Sequence, residues 1–239
     1  MPLDNSTPVV LAEACRILAH AGLAEDILGH VSVRTERGLA VRCRGPLESG
    51  LLFTRPEDIH EVAPGVELEP GYDPPNELPI HTEAMRARPD VRAVVHVHAP
   101  HVIAADLAGI ELRPVVGAYN IPVMRMAVGR IPIYPRSALI NTNELGREVA
   151  TALGPAPALV LRGHGIVTVG HTLEEAVIRA LNVEILARML VLASAKGKVE
   201  YEVSAEDIAA MPDLGSAFND TFVWRYQRSR LEHAGLAVR

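Results

Sequence analysis

The sequence predicts an α/β fold: a mixed sheet with helices on both faces. Three observations predict it. Short apolar segments with strand character alternate with longer segments of helical period, no internal repeat or low-complexity tract interrupts them, and the apolar residues are almost all aliphatic. Apolar residues make up 49% of the chain and aromatics only 4%, so the core must be built from Ala, Val, Leu and Ile. At 239 residues the chain exceeds the usual single-domain length, yet α/β domains of this size often stay in one piece. One domain over 1–198 is expected, followed by a helical C-terminal appendage over 199–239.

In chain order, Thr7-Pro8 supplies an N-cap and a first-turn proline, and Leu11, Ala14, Cys15 and Leu18 recur at helical spacing until Gly22. Val31 and Val33 then alternate with polar residues, Glu36-Arg37-Gly38 turns the chain, and Leu39, Val41 and Cys43 alternate again, which predicts an antiparallel hairpin. A third short strand is expected at Leu51 to Thr54, and the Pro- and Gly-rich stretch from Pro64 to Pro75 reads as a loop. Pro79 opens a helix to about Arg88, Arg92 to His98 reads as a strand, and Pro100 to Leu107 as a helix. A strand is expected near Arg130 to Tyr134, and Leu145, Val149 and Leu153 mark the apolar side of another helix. Ala158 to Leu161 and Ile166 to Val169 read as buried strands flanking Gly163-His164-Gly165. Thr172 with Glu175 forms a capping box that starts the longest helix, to about Ala195. Past Lys198, a capped short helix at Ser204 and an amphipathic stretch around Trp224 complete the chain.

Charge and composition exclude several function classes. The formal charge is −6 and no dense Lys/Arg stripe is present, so nucleic acid is not an expected partner. No run approaches the ~18 apolar residues needed to span a bilayer, and the first thirty residues read as an amphipathic helix, not as an export signal. Cys15 and Cys43 make no disulfide framework, and a cytoplasmic location is expected.

The segment carrying chemistry is Val94-Val95-His96-Val97-His98. Residues two apart on a strand project from one face, so both imidazoles can reach one metal ion. His164, on a tight turn between two glycines, supplies a third. Three imidazoles with open positions is the arrangement of a catalytic metal rather than a structural one. Glu77, immediately before a helix, sits where the helix dipole favours the ionised carboxylate. His81 follows one turn later and is expected to support the site rather than to ligate. His101 and His171 read as structural or exposed, and His20, His60 and His233 as surface residues.

Together, Gly29-His30-Val31-Ser32-Val33-Arg34, Glu77-x-x-x-His81, Arg88-Pro89-Asp90-Val91, His96-Val97-His98, and His164-Gly165 with Gly170 and Glu174-Glu175-Ala176 resemble the class II aldolase/adducin family. The motifs fall in order over roughly residues 8 to 196. The resemblance implies a three-layer α/β/α sandwich around a largely antiparallel mixed sheet, assembled as a homotetramer with active sites at subunit interfaces. It implies His96, His98 and His164 as ligands of one divalent metal ion per subunit (zinc, manganese, cobalt or iron), with Glu77 as the catalytic acid/base.

Departures from the sugar-phosphate members narrow the substrate. Those members carry an asparagine after the first motif glycine, a Thr-Gly segment after the hairpin and paired serines before the glutamate, which together cradle phosphate. Here the places read His30, Arg42-Cys43-Arg44-Gly45-Pro46 and Pro75-Asn76. A histidine and arginines suit a planar carboxylate through charge-assisted hydrogen bonds. The pattern is similar to the branch with hydroxymethylpyridine-dicarboxylate and dihydroxyphthalate decarboxylases. It implies a carbon–carbon lyase that decarboxylates a hydroxylated aromatic acid, with His30, Arg44 and Asn76 orienting the small-molecule substrate. An aldolase or epimerase acting on a sugar or sugar phosphate is the alternative. A non-catalytic adducin-like scaffold is the other, which the histidine trio and Glu77 oppose.

Overall fold

Alternation of side chains along short strands sorts this chain into two separate cores. The computed structural model describes residues 6–215 and 217–238; the outermost residues of the two expected domain ranges, 1–5 and 239, lie outside these. Seven strands form one sheet: β1 His30–Arg34, β2 Leu39–Arg42, β3 Ile59–Val62, β4 Ala93–Val97, β5 Ile133–Tyr134, β6 Ala158–Leu161 and β7 Gly165–Gly170. Their spatial order is β3-β2-β1-β4-β7-β6-β5. Every pairing is antiparallel except β5 with β6, so the sheet is mixed and largely antiparallel.

On one face Val31, Ala40, Val95, Val97, Val160 and Ile166 pack against α1 (Ser6–His20), α3 (Pro100–Leu107) and α6 (Leu173–Ala193). Trp224 and Leu231 of α8 (Trp224–His233) join the same cluster. On the other face Val41, Val94, Leu159, Leu161, Val167 and Val169 pack against α2 (Leu78–Ala87) and α5 (Asn143–Leu153). Two cores divided by one sheet make the expected three-layer α/β/α sandwich. The longest helix of the first layer, α6, buries Val177, Leu181, Leu186 and Leu190, after Thr172 caps its first turn through the Glu175 N–H.

Two local expectations are corrected. Leu51–Phe53 is a 3₁₀ turn and not a strand. The Thr54 N–H and hydroxyl both bond back to the Leu51 carbonyl, and Pro56 two residues on cannot donate to a ladder. The third strand comes later, at Ile59–Val62, where it pairs with β2. A helix not foreseen, α4, spans Ile121–Ala127; Asn120 caps it by accepting from the Val123 N–H, with Pro122 in its first turn. Before α8, the short helix α7 spans Ala205–Ala210 and is capped by Ser204. No helix of the described residues is long and apolar enough to cross a membrane.

The end of β4 lies against the start of β7 with no room for a side chain between them. A Cβ added at Gly165 would stand 2.4 Å from the Val97 carbonyl oxygen and 3.2 Å from the His98 Cα. Backbone cannot rotate away as a side-chain tip can. Gly165→Ala is therefore expected to destabilise the protein by about 1–3 kcal/mol, which a thermal melt will read as a fall of roughly 2–4 °C per kcal/mol. An unchanged melting temperature would show that the two strands part easily here.

Candidate metal centre

Sheet register brings the first histidines together. β1 and β4 run antiparallel with His30 directly opposite His96, so both rings leave the same face, toward α2. His98 follows the last residue of β4 and still lies on the His96 side, with the two ring centroids 5.1 Å apart. His164 arrives from the turn between β6 and β7, where Gly163 takes φ +57, a left-handed conformation that favours glycine. That turn is anchored from below. The Gly163 N–H donates to Asp106 Oδ2 at 2.7 Å, Arg162 Nε lies 3.0 Å from Asp106 Oδ1, and the Ser137 hydroxyl donates to the Arg162 carbonyl at 2.8 Å. The result places the His164 ring 4.9 Å from both His96 and His98, centroid to centroid.

Glu77 stands at the start of α2, but its side chain caps nothing. Oε1 accepts from the Ile140 N–H at 2.8 Å, which turns Oε2 toward the imidazoles. Oε2 lies 3.4 Å from His164 Nε2, 3.5 Å from His96 Nε2 and 4.0 Å from His30 Nε2. One ligand atom from each of Glu77, His96, His98 and His164 falls within 4.8 Å of all the others.

The donor set fits a divalent cation. His96 Nδ1 lies 3.0 Å from the Ile166 carbonyl, which can only accept, so the ring proton sits on Nδ1 and Nε2 keeps its lone pair. That Nε2 is buried and has no hydrogen-bond partner among the described residues. It faces the Glu77 carboxylate, lone pair toward anion, an arrangement that a shared cation resolves. Burial opposes ionisation of Glu77, but the neighbouring His164 and the Ile140 N–H outweigh it and hold the carboxyl below the usual range. Burial, aided by His96 and His164, lowers His98 to about 4. These are the protonation states in which a carboxylate and an imidazole ligate.

Around the cluster opens a cleft. His30, Glu77 and His98 form its floor, Arg44 and Asn76 stand at one side, and Ile27, Leu28 and Leu139 make an apolar rim. Arg44 donates to Asn76 Oδ1 at 3.0 Å, so these two residues from different loops meet at the mouth. The residues singled out from the sequence thus converge: His96, His98, His164 and Glu77 form one cluster, and His30, Arg44 and Asn76 line the cleft that Glu77 and His98 share. His81 stands apart from the ligand cluster, bonded to His30 and Ser32.

Other participants escaped sequence reading. The Ile140 N–H and Asp106 come from elements distant in the chain and carry no motif. Arg42, one of the arginines expected to suit a carboxylate, lines the cleft, but its guanidinium is buried and engaged with Glu48 and Thr54, which leaves Arg44 for that part. His60 is half-buried rather than on the surface, because the loop after β3 folds Tyr72 over it with ring centroids 4.2 Å apart.

Comparison with known proteins gives the family. The family model described as "Class II Aldolase and Adducin N-terminal domain" matches residues 9–191. A 3,4-dihydroxyphthalate decarboxylase of Arthrobacter keyseri is 47% identical over 231 residues, covering 94% of this chain and 93% of the relative. An L-fuculose phosphate aldolase of Escherichia coli (strain K12) is 30% identical over 206 residues, covering 84% and 90% of the two chains. Among solved structures, an aldolase II superfamily protein from Pseudomonas syringae superposes with a TM-score of 0.80 at 20% identity, over 99% of this chain and 96% of the other, a likeness of fold. The match spans most of the sequence and the fold accompanies it, and the chain belongs to the class II aldolase and adducin family.

Proposed function

We propose that this lyase removes carbon dioxide from a hydroxylated aromatic dicarboxylate of the dihydroxyphthalate type, with a divalent metal ion held by His96, His98 and His164. The observation that carries the reading is the cleft's division of labour. An ionised carboxylate and imidazoles lie on its floor, an arginine with an amide stands at its side, and aliphatic side chains form its rim. A flat ring with charged edges matches that distribution, since the rim can cover its faces while Arg44, Asn76 and His30 take a carboxylate. The stronger likeness to dihydroxyphthalate decarboxylases than to fuculose phosphate aldolases points the same way.

When bound, the metal supplies Lewis-acid chemistry, stabilising negative charge on a substrate oxygen. The chain's own residues do the rest. Glu77, ionised at rest, takes the proton of the hydroxyl next to the departing carboxylate. It then delivers that proton to the ring carbon bearing the carboxylate. The bond from that carbon to the carboxylate breaks, carbon dioxide leaves, and the electron pair restores the aromatic ring with its oxygen anionic; solvent returns one proton to that oxygen. Arg44, Asn76 and His30 hold the substrate so that its ring carbon stays within reach of Glu77.

The metal is zinc, manganese, cobalt or iron in this proposal, since three imidazoles accept each of them. The proposed assembly is a cytoplasmic homotetramer with its sites between subunits. Exposed Phe218, Phe222 and Tyr226 near the C-terminus supply apolar surface for such contacts.

A carbon-dioxide release assay tests the activity. Protein loaded with each metal is given 3,4-dihydroxyphthalate and, in parallel, L-fuculose 1-phosphate. Release of carbon dioxide from the first without cleavage of the second is expected. Cleavage of the sugar phosphate with no carbon dioxide from the aromatic acid would replace the proposal with an aldolase.

A further inference from the structure

Behind the cleft runs a buried chain of three side chains. Ser32 and His30 lie two apart on β1 and so share the face that looks toward α2. His81, one turn into α2, descends between them. Its Nδ1 stands 2.6 Å from Ser32 Oγ and its Nε2 stands 2.6 Å from His30 Nδ1. Ser32 and His81 are fully buried and His30 nearly so. The far nitrogen of His30, Nε2, faces the cleft and lies 4.0 Å from Glu77 Oε2.

With both rings neutral, each nitrogen in this chain is either a donor or an acceptor, and a choice at one end sets every other. Two polarities are possible. In the first, His30 Nδ1–H donates to His81 Nε2 and His81 Nδ1–H donates to Ser32 Oγ. The Ser32 hydroxyl hydrogen then has no acceptor, because its oxygen has no other hydrogen-bond partner among the described residues. His30 would also turn a lone pair toward the Glu77 carboxylate. In the second, the Ser32 hydroxyl donates to His81 Nδ1, His81 Nε2–H donates to His30 Nδ1, and His30 carries its remaining proton on Nε2. Every buried hydrogen is then used, and an N–H faces the carboxylate. Both ends of the chain favour the second polarity.

We propose that Ser32 and His81 are positioning residues that lock His30 in the tautomer protonated on Nε2, so that it donates a hydrogen bond to an anionic oxygen of the substrate. The tautomer follows from the buried chain alone, while its use on a substrate rests on the decarboxylase reading. His30 is thereby a fixed neutral donor, which bonds an anionic oxygen in that part of the cleft more strongly than a neutral hydroxyl. Ser32 touches no substrate, yet its hydroxyl decides the outcome two rings away.

Neutron diffraction from deuterium-exchanged crystals of the full chain reads the tautomer directly. Deuterium is expected on Ser32 Oγ directed at His81, on His81 Nε2 and on His30 Nε2. Deuterium on His30 Nδ1 would overturn the proposal whatever the substrate is. Kinetics test the consequence. Ser32→Ala is expected to raise KM about 10-fold, the scale of one hydrogen bond to a charged group, with kcat and metal content little changed. Ser32→Thr, which keeps the hydroxyl, is expected to restore KM. An Ala variant with unaltered KM, or one restored by no hydroxyl, would assign Ser32 to packing alone. If 3,4-dihydroxyphthalate is not turned over at all, the decarboxylase reading fails while the diffraction result still decides the tautomer.

Discussion

Glu77→Gln is expected to lower kcat for decarboxylation by about 10²–10⁴-fold, the contribution of a positioned acid/base group. Glutamine keeps the shape of the side chain and an oxygen to accept from the Ile140 N–H, so the loop and the start of α2 stay in place. What it removes is the ability to take a proton and give it back. It also removes the negative charge 3.4 and 3.5 Å from the His164 and His96 nitrogens, leaving three imidazoles that still suffice to hold a metal ion. Metal content by elemental analysis should therefore remain near one ion per chain while turnover collapses. KM should change little, because Arg44, Asn76 and His30 are untouched. A variant that keeps near-normal turnover would remove Glu77 from the chemistry; one that loses its metal would make Glu77 a ligand before anything else.

His96→Ala is expected to remove the metal altogether. His96 is the fully buried member of the trio, and its Nε2 has no role in the protein's own hydrogen bonding. Its Nδ1–H is committed to the Ile166 carbonyl, which fixes the ring and raises the basicity of the free nitrogen. Losing only an outer partner of a metal ligand costs about 10–100-fold in affinity, so loss of the ligand itself should exceed that and abolish activity. Truncation also leaves a small void under β4, so a modest fall in melting temperature should accompany the loss. Retention of a full complement of metal with normal affinity would show that the ion binds elsewhere.

The candidate metal cluster was more legible in the sequence than its supports. His96 and His98 were legible because a strand repeats every two residues, and valines at 94, 95 and 97 declared the strand. His164 was legible because glycines on both sides announce a turn, and the structure uses Gly163 for its positive φ and Gly165 for its close approach to Val97. Glu77 was placed by the helix it precedes. The supports are assembled from distant segments. Nothing near Ile140 in the chain indicates that its N–H will orient Glu77, and nothing at Asp106 indicates that its carboxylate will hold the turn beneath His164.

The same distinction explains the fold. Three layers follow from strands that alternate and helices that carry one apolar face, both local patterns. The strand expected at Leu51 to Thr54 failed because apolar residues alone do not distinguish a strand from a tight turn, and Leu51 is buried under α1 by a 3₁₀ turn. The actual strand, Ile59-His60-Glu61-Val62, is only half-buried at the sheet edge and shows a weak pattern. The helix at Ile121 was short, and its start signals, Asn120 and Pro122, stood in a stretch that otherwise resembles a loop.

Anomalous diffraction at a metal absorption edge, from crystals of metal-loaded protein, tests the central claim most directly. One strong peak per chain is expected within bonding distance of imidazole nitrogens of His96, His98 and His164, with Glu77 beside it. A peak bonded to other residues, or none at full occupancy of added metal, would contradict the account.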